Sequence, residues 1–210
     1  GAGLIDVVEK CEWSGSSNGP NRQKVKVKTE HKEYEYELGL GGKYQIENSA
    51  TSIMALEELS KKGYELFKSP AMLSNAFTKL DWPGRMEQIE FKGRQILLDG
   101  AHNELAIQRL VDSLVEADQS KTIIVFGALI GHSLQPMMNL LKDLTPNLVA
   151  VKSRHPKAVS SQEIGMAAKS ANINVLDIDK SVSSGIKLAI ESYDENQKIL
   201  VTGSISVVAE

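Results

Sequence analysis

Ile96-Leu97-Leu98-Asp99-Gly100-Ala101-His102-Asn103 decides the fold of this chain. An apolar run short enough for a buried strand meets a carboxylate. Beyond it Ile107, Leu110, Val111 and Leu114 recur at helical spacing. The pattern repeats downstream. Apolar runs at 122–126, 148–151, 175–178 and 199–201 are each short enough for buried parallel strands. Between them lie the stripes Met137, Leu140, Leu141, Leu144 and Val182, Ile186, Ala189, Ile190, Tyr193. Ser160 and Glu163 form a capping box that opens the helix before Ile164. Strands alternating with amphipathic helices predict an α/β domain with a doubly wound, mostly parallel sheet from about residue 83 to 210.

Residues 1–82 have a different texture. Gln23–Thr29 alternates lysine with valine, and residues 33–40 alternate glutamate with tyrosine, the period of half-exposed strands. Lys24, Lys26 and Lys28 are expected opposite Glu33, Glu35 and Glu37 across a hairpin rather than on a polyanion-binding patch. Residues 14–21 read as a Ser/Gly/Asn loop. A helix is expected over 48–62, ended by Gly63, with a short one over 71–79 and a break at Pro83-Gly84.

Composition narrows the class. In 210 residues, 41% hydrophobic and 24% charged content is that of a globular protein, and a net charge of −3 gives no footprint for nucleic acid. One cysteine, Cys11, excludes an internal disulfide and fits a reducing compartment. No stretch approaches the ~20 apolar residues of a membrane span. A cytoplasmic protein that does not bind membranes is expected. The start at Gly1 without methionine and the stop inside an apolar run suggest part of a larger protein.

In open α/β sheets, ligands bind at the carboxyl ends of the strands. Asp99 ends the first parallel strand, where a carboxylate can accept from both hydroxyls of a ribose. The alternative is a helix cap; Asn103 can serve as that cap, which favours a ligand role for Asp99. His102 precedes the same helix N-terminus, which attracts carboxylate or phosphate. A neutral imidazole there has one N–H for an anion, and a plain surface histidine is an equal alternative. Arg85, after the Pro-Gly break, can take a phosphate bidentately, although alone it reads as a solvated linker residue. Ser204 ends the last strand in Thr202-Gly203-Ser204, where a strand-end turn is the simpler account. Asn48 reads first as a helix N-cap, with adenine pairing through its carboxamide as the other option. Arg154 and His155, in Ser153-Arg154-His155-Pro156-Lys157, are possible substrate contacts. His31 and His132 belong to no constellation, and no spacing suggests zinc. The chain contains neither G-x-G-x-x-G nor G-x-x-x-x-G-K-[ST].

Several stretches together resemble the Mur ligase superfamily, most closely its folylpolyglutamate/dihydrofolate synthase branch. They are Gln45-Ile46-Glu47-Asn48-Ser49-Ala50-Thr51, Pro83-Gly84-Arg85-Met86-Glu87, Leu98-Asp99-Gly100-Ala101-His102-Asn103, Val125-Phe126-Gly127, Ser153-Arg154-His155-Pro156 and Val201-Thr202-Gly203-Ser204. The resemblance implies that residues 1–82 are the C-terminal part of a central ATPase domain and 83–210 a Rossmann-like glutamate-ligase domain. It implies ATP contacts at Asn48, Arg85 and Asp99 and glutamate contacts at His102 and Ser204. No catalytic residue and no metal ligand is assigned on this chain; Mg2+ ligands are expected in a preceding N-terminal part. The implied substrates are ATP, L-glutamate and folate or dihydropteroate, joined through an acyl phosphate by a monomeric enzyme of which this piece alone is inactive. The family commonly carries an acidic-lysine-acidic run after Val125-Phe126-Gly127. This chain has Ala128-Leu129-Ile130-Gly131-His132-Ser133 instead, so the role of that lysine does not transfer. A Mur-type ligase with a non-folate acceptor and a non-catalytic amino-acid-binding module remain as alternatives. A nicotinamide dehydrogenase, without its glycine fingerprint, stands far behind.

Overall fold

The computed structural model describes residues 7–18, 21–64, 69–115, 122–145, 147–178, 181–192 and 197–210. The chain divides into two compact units, Gly1–Trp82 and Pro83–Glu210. Tyr193, assigned above to a helical stripe, and residues 19 and 20 of the expected loop lie outside the described residues.

In the first unit a short helix α1 (Val7–Lys10) leads into an antiparallel meander of β1 (Cys11–Ser17), β2 (Gln23–Thr29) and β3 (Glu33–Leu38). The register sets Lys24 opposite Glu37, Lys26 opposite Glu35 and Lys28 opposite Glu33, as the charge alternation predicts. Exposed pairs of this kind contribute no more than about 1 kcal/mol each. Their main effect is on register, because a one-residue slip would bury the lysines. Residues 14–17 are strand, not loop. Ser14, Gly15, Ser16 and Ser17 pair with Lys26, Val25, Lys24 and Gln23, so the ladder to β2 overrides their local turn preference.

Helix α2 (Lys43–Lys61) begins at Lys43 rather than at Asn48. Ile46, Ala50, Ile53 and Met54 bury one stripe, and Ile46 carries that stripe back past the expected start. Asn48 is therefore an exposed mid-helix residue and not a cap, its Nδ2 donating to Gln45 Oε1 at 2.8 Å. Past the last turn, Gly63 N–H returns to Ser60 O and Tyr64 N–H to Leu59 O, the paired bonds of a Schellman ending. Ser69 then caps α3 (Pro70–Thr78) by accepting from Met72 N–H at 3.3 Å.

Polar side chains join sheet and helix in this core. Glu57 Oε1 accepts from Tyr34 O–H at 2.7 Å and from Thr29 O–H at 3.0 Å. Tyr36 shares a 2.6 Å hydrogen bond with Ser49 and stacks on Phe77 at 4.6 Å. Burial, then the charges of Glu57 and Glu12, pushes the Cys11 thiol up, which makes it a poor nucleophile. Burial also raises the Tyr36 phenol from 10.0 to about 12 against the opposing Ser49 bond. Burial and then the Glu57 bond raise Tyr34 as well. Unfolded tyrosines ionise at lower pH, so the stability that Tyr36 confers is complete below pH 10.0 and lost as pH climbs through about 12, and that of Tyr34 is lost in the same direction. In an alkaline titration, tyrosinate absorbance from this pair should rise together with loss of circular dichroism. Full ionisation of all five tyrosines before any unfolding would contradict the burial.

The second unit carries a six-stranded sheet in the order β4-β5-β9-β6-β7-β8. Its strands are β4 (Glu87–Phe91), β5 (Arg94–Leu98), β6 (Thr122–Phe126), β7 (Asn147–Ala150), β8 (Asn174–Ile178) and β9 (Lys198–Thr202). All neighbours are parallel except β4, which is antiparallel to β5. Helices α4 (Glu104–Val115), α5 (Leu134–Leu141) and α6 (Ser161–Ser170) neighbour one another in a row. Helix α7 (Val182–Glu191) packs on β6, β7 and β9. Ile96, Ile123, Val125, Val149, Ile199 and Val201 form one core with Val182 and Ala189. By the strand period of two, Ile124, Phe126, Leu148 and Leu200 face the other way, and all are fully buried. The α4 stripe is buried as predicted; in α5, Met138 is buried and Leu140 only partly so. Both bonds of the Ser160–Glu163 capping box form. Among the described residues no helix is long and apolar enough to cross a membrane.

Candidate functional site

Three sequence-distant stretches are tied together by main-chain bonds at the carboxyl ends of β5 and β9. Gly100 N–H donates to Gly84 O at 2.8 Å, Gly203 N–H to Ala101 O at 3.0 Å, and Asp99 N–H to Val201 O at 3.1 Å. Thus Pro83-Gly84-Arg85, Asp99-Gly100-Ala101-His102-Asn103 and Thr202-Gly203-Ser204 form one assembly. Asp99 is its centre. Oδ2 accepts from Met86 N–H and Oδ1 from Ala101 N–H, each at 2.9 Å, and the residue is 1% exposed. The bare carboxylate expected from the sequence is instead a buried anchor for two backbone segments.

Arg85 is half-buried and rides on the turn that Asp99 holds. That turn is also fixed by Gly84 N–H donating to Glu87 Oε2 at 2.8 Å. Met86 adopts φ 52°, a left-handed backbone sustained by these bonds. The guanidinium therefore starts from a rigid base, which lowers the entropic cost of binding an anion.

Asn103 caps α4, its Oδ1 accepting from Ala106 N–H at 2.9 Å, so the cap is made without Asp99. His102 is exposed, with Nδ1 3.1 Å from Gly100 O. A carbonyl can only accept, so Nδ1 carries the proton and Nε2 of the neutral ring is an acceptor. The single N–H expected to serve an anion is thus already used. His132 was assigned to no constellation, yet its ring lies 5.3 Å from that of His102 at an interplanar angle of 64°. Sequence spacing conceals this pair because the rings belong to the β5–α4 and β6–α5 loops.

Ser204 is 2% exposed and caps the four-residue helix α8 (Ile205–Val208), accepting from Val207 N–H at 3.2 Å. Its hydroxyl lies 2.7 Å from that of Ser206, which is 3.1 Å from Ser153. Next to Ser204, the Thr202 hydroxyl is buried with no hydrogen-bond partner among the described residues.

Residues 84–205 match the Mur ligase, glutamate ligase domain. The chain belongs to the Mur ligase family. A dihydrofolate synthase/folylpolyglutamate synthase of Bacillus subtilis is 28% identical over 170 residues, 80% of this chain and 38% of the relative. A dihydrofolate synthetase of Saccharomyces cerevisiae is 30% identical over 155 residues, 67% of this chain and 36% of the relative. This Mur ligase chain therefore spans well under half the length of those relatives. Among solved structures, Mycobacterium tuberculosis folylpolyglutamate synthase complexed with ADP and AMPPCP superposes with a TM-score of 0.82 at 19% identity. The match covers 93% of this chain and 46% of that one. The Thermotoga maritima enzyme of the same name gives 0.71 at 22% identity, over 96% and 45% of the two chains. The mostly parallel α/β architecture is that of the Mur ligase glutamate-ligase domain.

The remaining candidates of this Mur ligase chain lie apart from the Asp99 assembly in sequence and are differently engaged. Arg154 N–H donates to Glu210 Oε1 at 2.5 Å, and Arg154 Nε lies 3.9 Å from Glu210 Oε2. His155 Nδ1 accepts from Lys157 N–H at 3.1 Å, which leaves the proton of the neutral ring on Nε2. No cluster of three or more His, Cys, Asp or Glu able to hold a metal occurs among the described residues.

Proposed function

We propose that this chain is part of an ATP-dependent ligase that adds L-glutamate to folate or dihydropteroate. Residues 1–82 belong to its central ATPase domain and 83–210 to its glutamate-ligase domain. Family membership supplies the reaction class. The single observation that carries the nucleotide role is the buried Asp99 anchor, which fixes the turn bearing Arg85 at the carboxyl ends of the strands. On that base Arg85 meets a phosphate, and Asn48 contributes an exposed carboxamide to adenine. Asp99 acts on the nucleotide through the backbone that it holds, with the ribose contact as its second role.

The substrate carboxylate takes the terminal phosphoryl group of ATP. The glutamate amine then attacks the acyl carbon, the C–O bond to phosphate breaks, and phosphate leaves with the amide formed. The protein's share is positioning and charge stabilisation. Mg2+ neutralises phosphate charge in such reactions, and its ligands are assigned outside the described residues. His102 and Ser204 are assigned to the glutamate side, and Arg154 and His155 to contact with substrate. Ser204 already spends its hydroxyl on a cap, so its contribution is to shape the loop. A monomeric enzyme of the cytoplasm completes the reading.

The test is ADP release by the full-length protein with L-glutamate and either dihydropteroate or tetrahydrofolate, for wild type and Arg85→Ala. Glutamate-dependent turnover with a folate, and a KM for ATP raised about tenfold or more by Arg85→Ala, are expected. Turnover only with a non-folate acceptor replaces the substrate. No ADP release by folded protein with any acceptor overturns the ligase and leaves an amino-acid-binding module.

A further inference from the structure

Helix α8 and Glu210 just beyond it touch strand-end segments that are far apart in sequence. On one side Ile205 and Val208 seat on the turn before β4 and on the end of β5. A Cβ on Gly84 would stand 2.8 Å from Val208 Cγ1 and 3.0 Å from Ile205 Cδ1, and one on Gly100 would stand 3.2 Å from Ile205 Cδ1. In the middle Val207 is buried over Gly127, where a Cβ would come within 2.8 Å of Val207 Cγ2. On the other side the polar residues reach the loop between β7 and α6. Ser206 bonds Ser153, and the Glu210 carboxylate accepts from Arg154 N–H. That carboxylate holds the loop by its backbone. The Arg154 side chain is 91% exposed and its Nε lies 3.9 Å from Glu210, so the ion pair adds little. The turn bearing Arg85 and the loop bearing Arg154 are thus gripped by opposite sides of one short element.

We propose that α8 is a positioning element that links these two segments, with Ile205 gripping the Arg85 turn and Glu210 gripping the Arg154 loop. A helix of four residues has too few bonds of its own to keep its shape in isolation. It keeps that shape only between both grips, so releasing either one frees the other end as part of one cooperative opening. A chain of contacts is not yet a coupling; the claim is that the two ends share this opening equilibrium. In the ligase, the linkage sets the phosphate contact and the substrate contact at a fixed separation before either ligand arrives. The roles of Arg85 and Arg154 rest on the ligase reading, and the linkage itself does not.

The experiment is amide hydrogen exchange of the full-length protein, without ligand, in wild type, Glu210→Ala and Ile205→Ala. Glu210→Ala removes the acceptor of Arg154 N–H but leaves Gly100 N–H its bond to Gly84 O at 2.8 Å. Ile205→Ala does the reverse, stripping the seat at Gly84 and Gly100 while Arg154 N–H keeps its acceptor. Each substitution should speed exchange about tenfold at the far amide, Gly100 in the first and Arg154 in the second. The amides of β6 should not change. Glu210→Gln keeps an acceptor oxygen and should stay within about threefold of wild type at Gly100. Where Ile205→Ala does not fold, Ile205→Val removes only Cδ1, the atom nearest both glycines, and should speed Arg154 about threefold. Acceleration confined to the substituted end overturns the proposal, as does equal acceleration throughout β6, which is global unfolding. ADP release measured in parallel separates the two claims. Far-end acceleration in a protein that ligates nothing sinks the ligase alone. Ligation by a protein whose two ends open independently sinks the linkage alone.

Discussion

Asp99→Ala should destabilise the second unit by about 3 kcal/mol, because it strips partners from two buried backbone N–H groups at once. Met86 N–H and Ala101 N–H both point at this carboxylate, which is 1% exposed. Hydrogen bonds to a charged acceptor contribute more than neutral ones, and an orphaned buried donor adds its own desolvation penalty. Asp99→Asn should recover no more than half of the loss. One acceptor oxygen becomes an NH2 that must face either the Met86 or the Ala101 amide, donor against donor. Urea denaturation of the three proteins gives the ranking. Asp99→Ala within 0.5 kcal/mol of wild type, a difference of the size found at ordinary surface sites, would show that the carboxylate holds nothing.

The same substitution separates two ways in which Asp99 would serve the nucleotide of the proposed function. If it acts mainly by holding residues 84–87, then Arg85 loses its fixed base, and Asp99→Ala should resemble Arg85→Ala in its effect on ATP affinity. The double variant should then lose little more than either single one, since coupled residues are not additive. A pure ribose contact would make the two losses independent, and their free energies would add.

Much of the second unit is legible in the sequence because its central parallel strands β9, β6 and β7 are buried on both faces. Thr122-Ile123-Ile124-Val125-Phe126 is buried at every position, so nothing in it alternates. The edge strand β4 carries only Ile89 and Phe91 as apolar residues and lies on an antiparallel hairpin, so its pattern is too faint to isolate. In the first unit, β1 is concealed by serine and glycine, whose turn preference is overridden by pairing to β2. Asn48 misleads for a related reason. It is a good cap by type, but the buried stripe that includes Ile46 fixes where the helix starts.

The site divides in the same way. Positions that depend on the end of a strand are predictable: Asp99, His102 and Ser204 all lie where an α/β sheet puts its ligand face. What those side chains are bonded to is set by contacts distant along the chain. Asp99 owes one partner to Met86, and His102 meets His132 from the next βα loop. Neither relation has a period or a spacing. Ser204 shows the converse, since its strand-end turn follows from sequence and its hydroxyl is spent locally on Val207 N–H.

Gly203→Ala should cost about 4 kcal/mol, a large share of the 5–15 kcal/mol that stabilises a typical domain. Two penalties combine. Gly203 has φ 101°, a conformation that strains an L-residue by roughly 1–3 kcal/mol. A Cβ here would also stand 2.4 Å from Gly127 O and 2.8 Å from Phe126 Cε2. Neither neighbour can yield easily. The Gly127 carbonyl is backbone, Gly127 N–H is bonded to Thr202 O, and Phe126 is fully buried. Overpacking of this kind adds roughly 1–3 kcal/mol. Gly131→Ala supplies the control. Its φ of 110° imposes the backbone strain, but no atom lies within 4 Å of the added carbon. Chemical denaturation should therefore show Gly131→Ala mildly destabilised and Gly203→Ala worse by about 2 kcal/mol, the part due to crowding. Equal losses in the two variants would mean that the β9 turn does not approach the end of β6 as closely as this assembly of motifs requires.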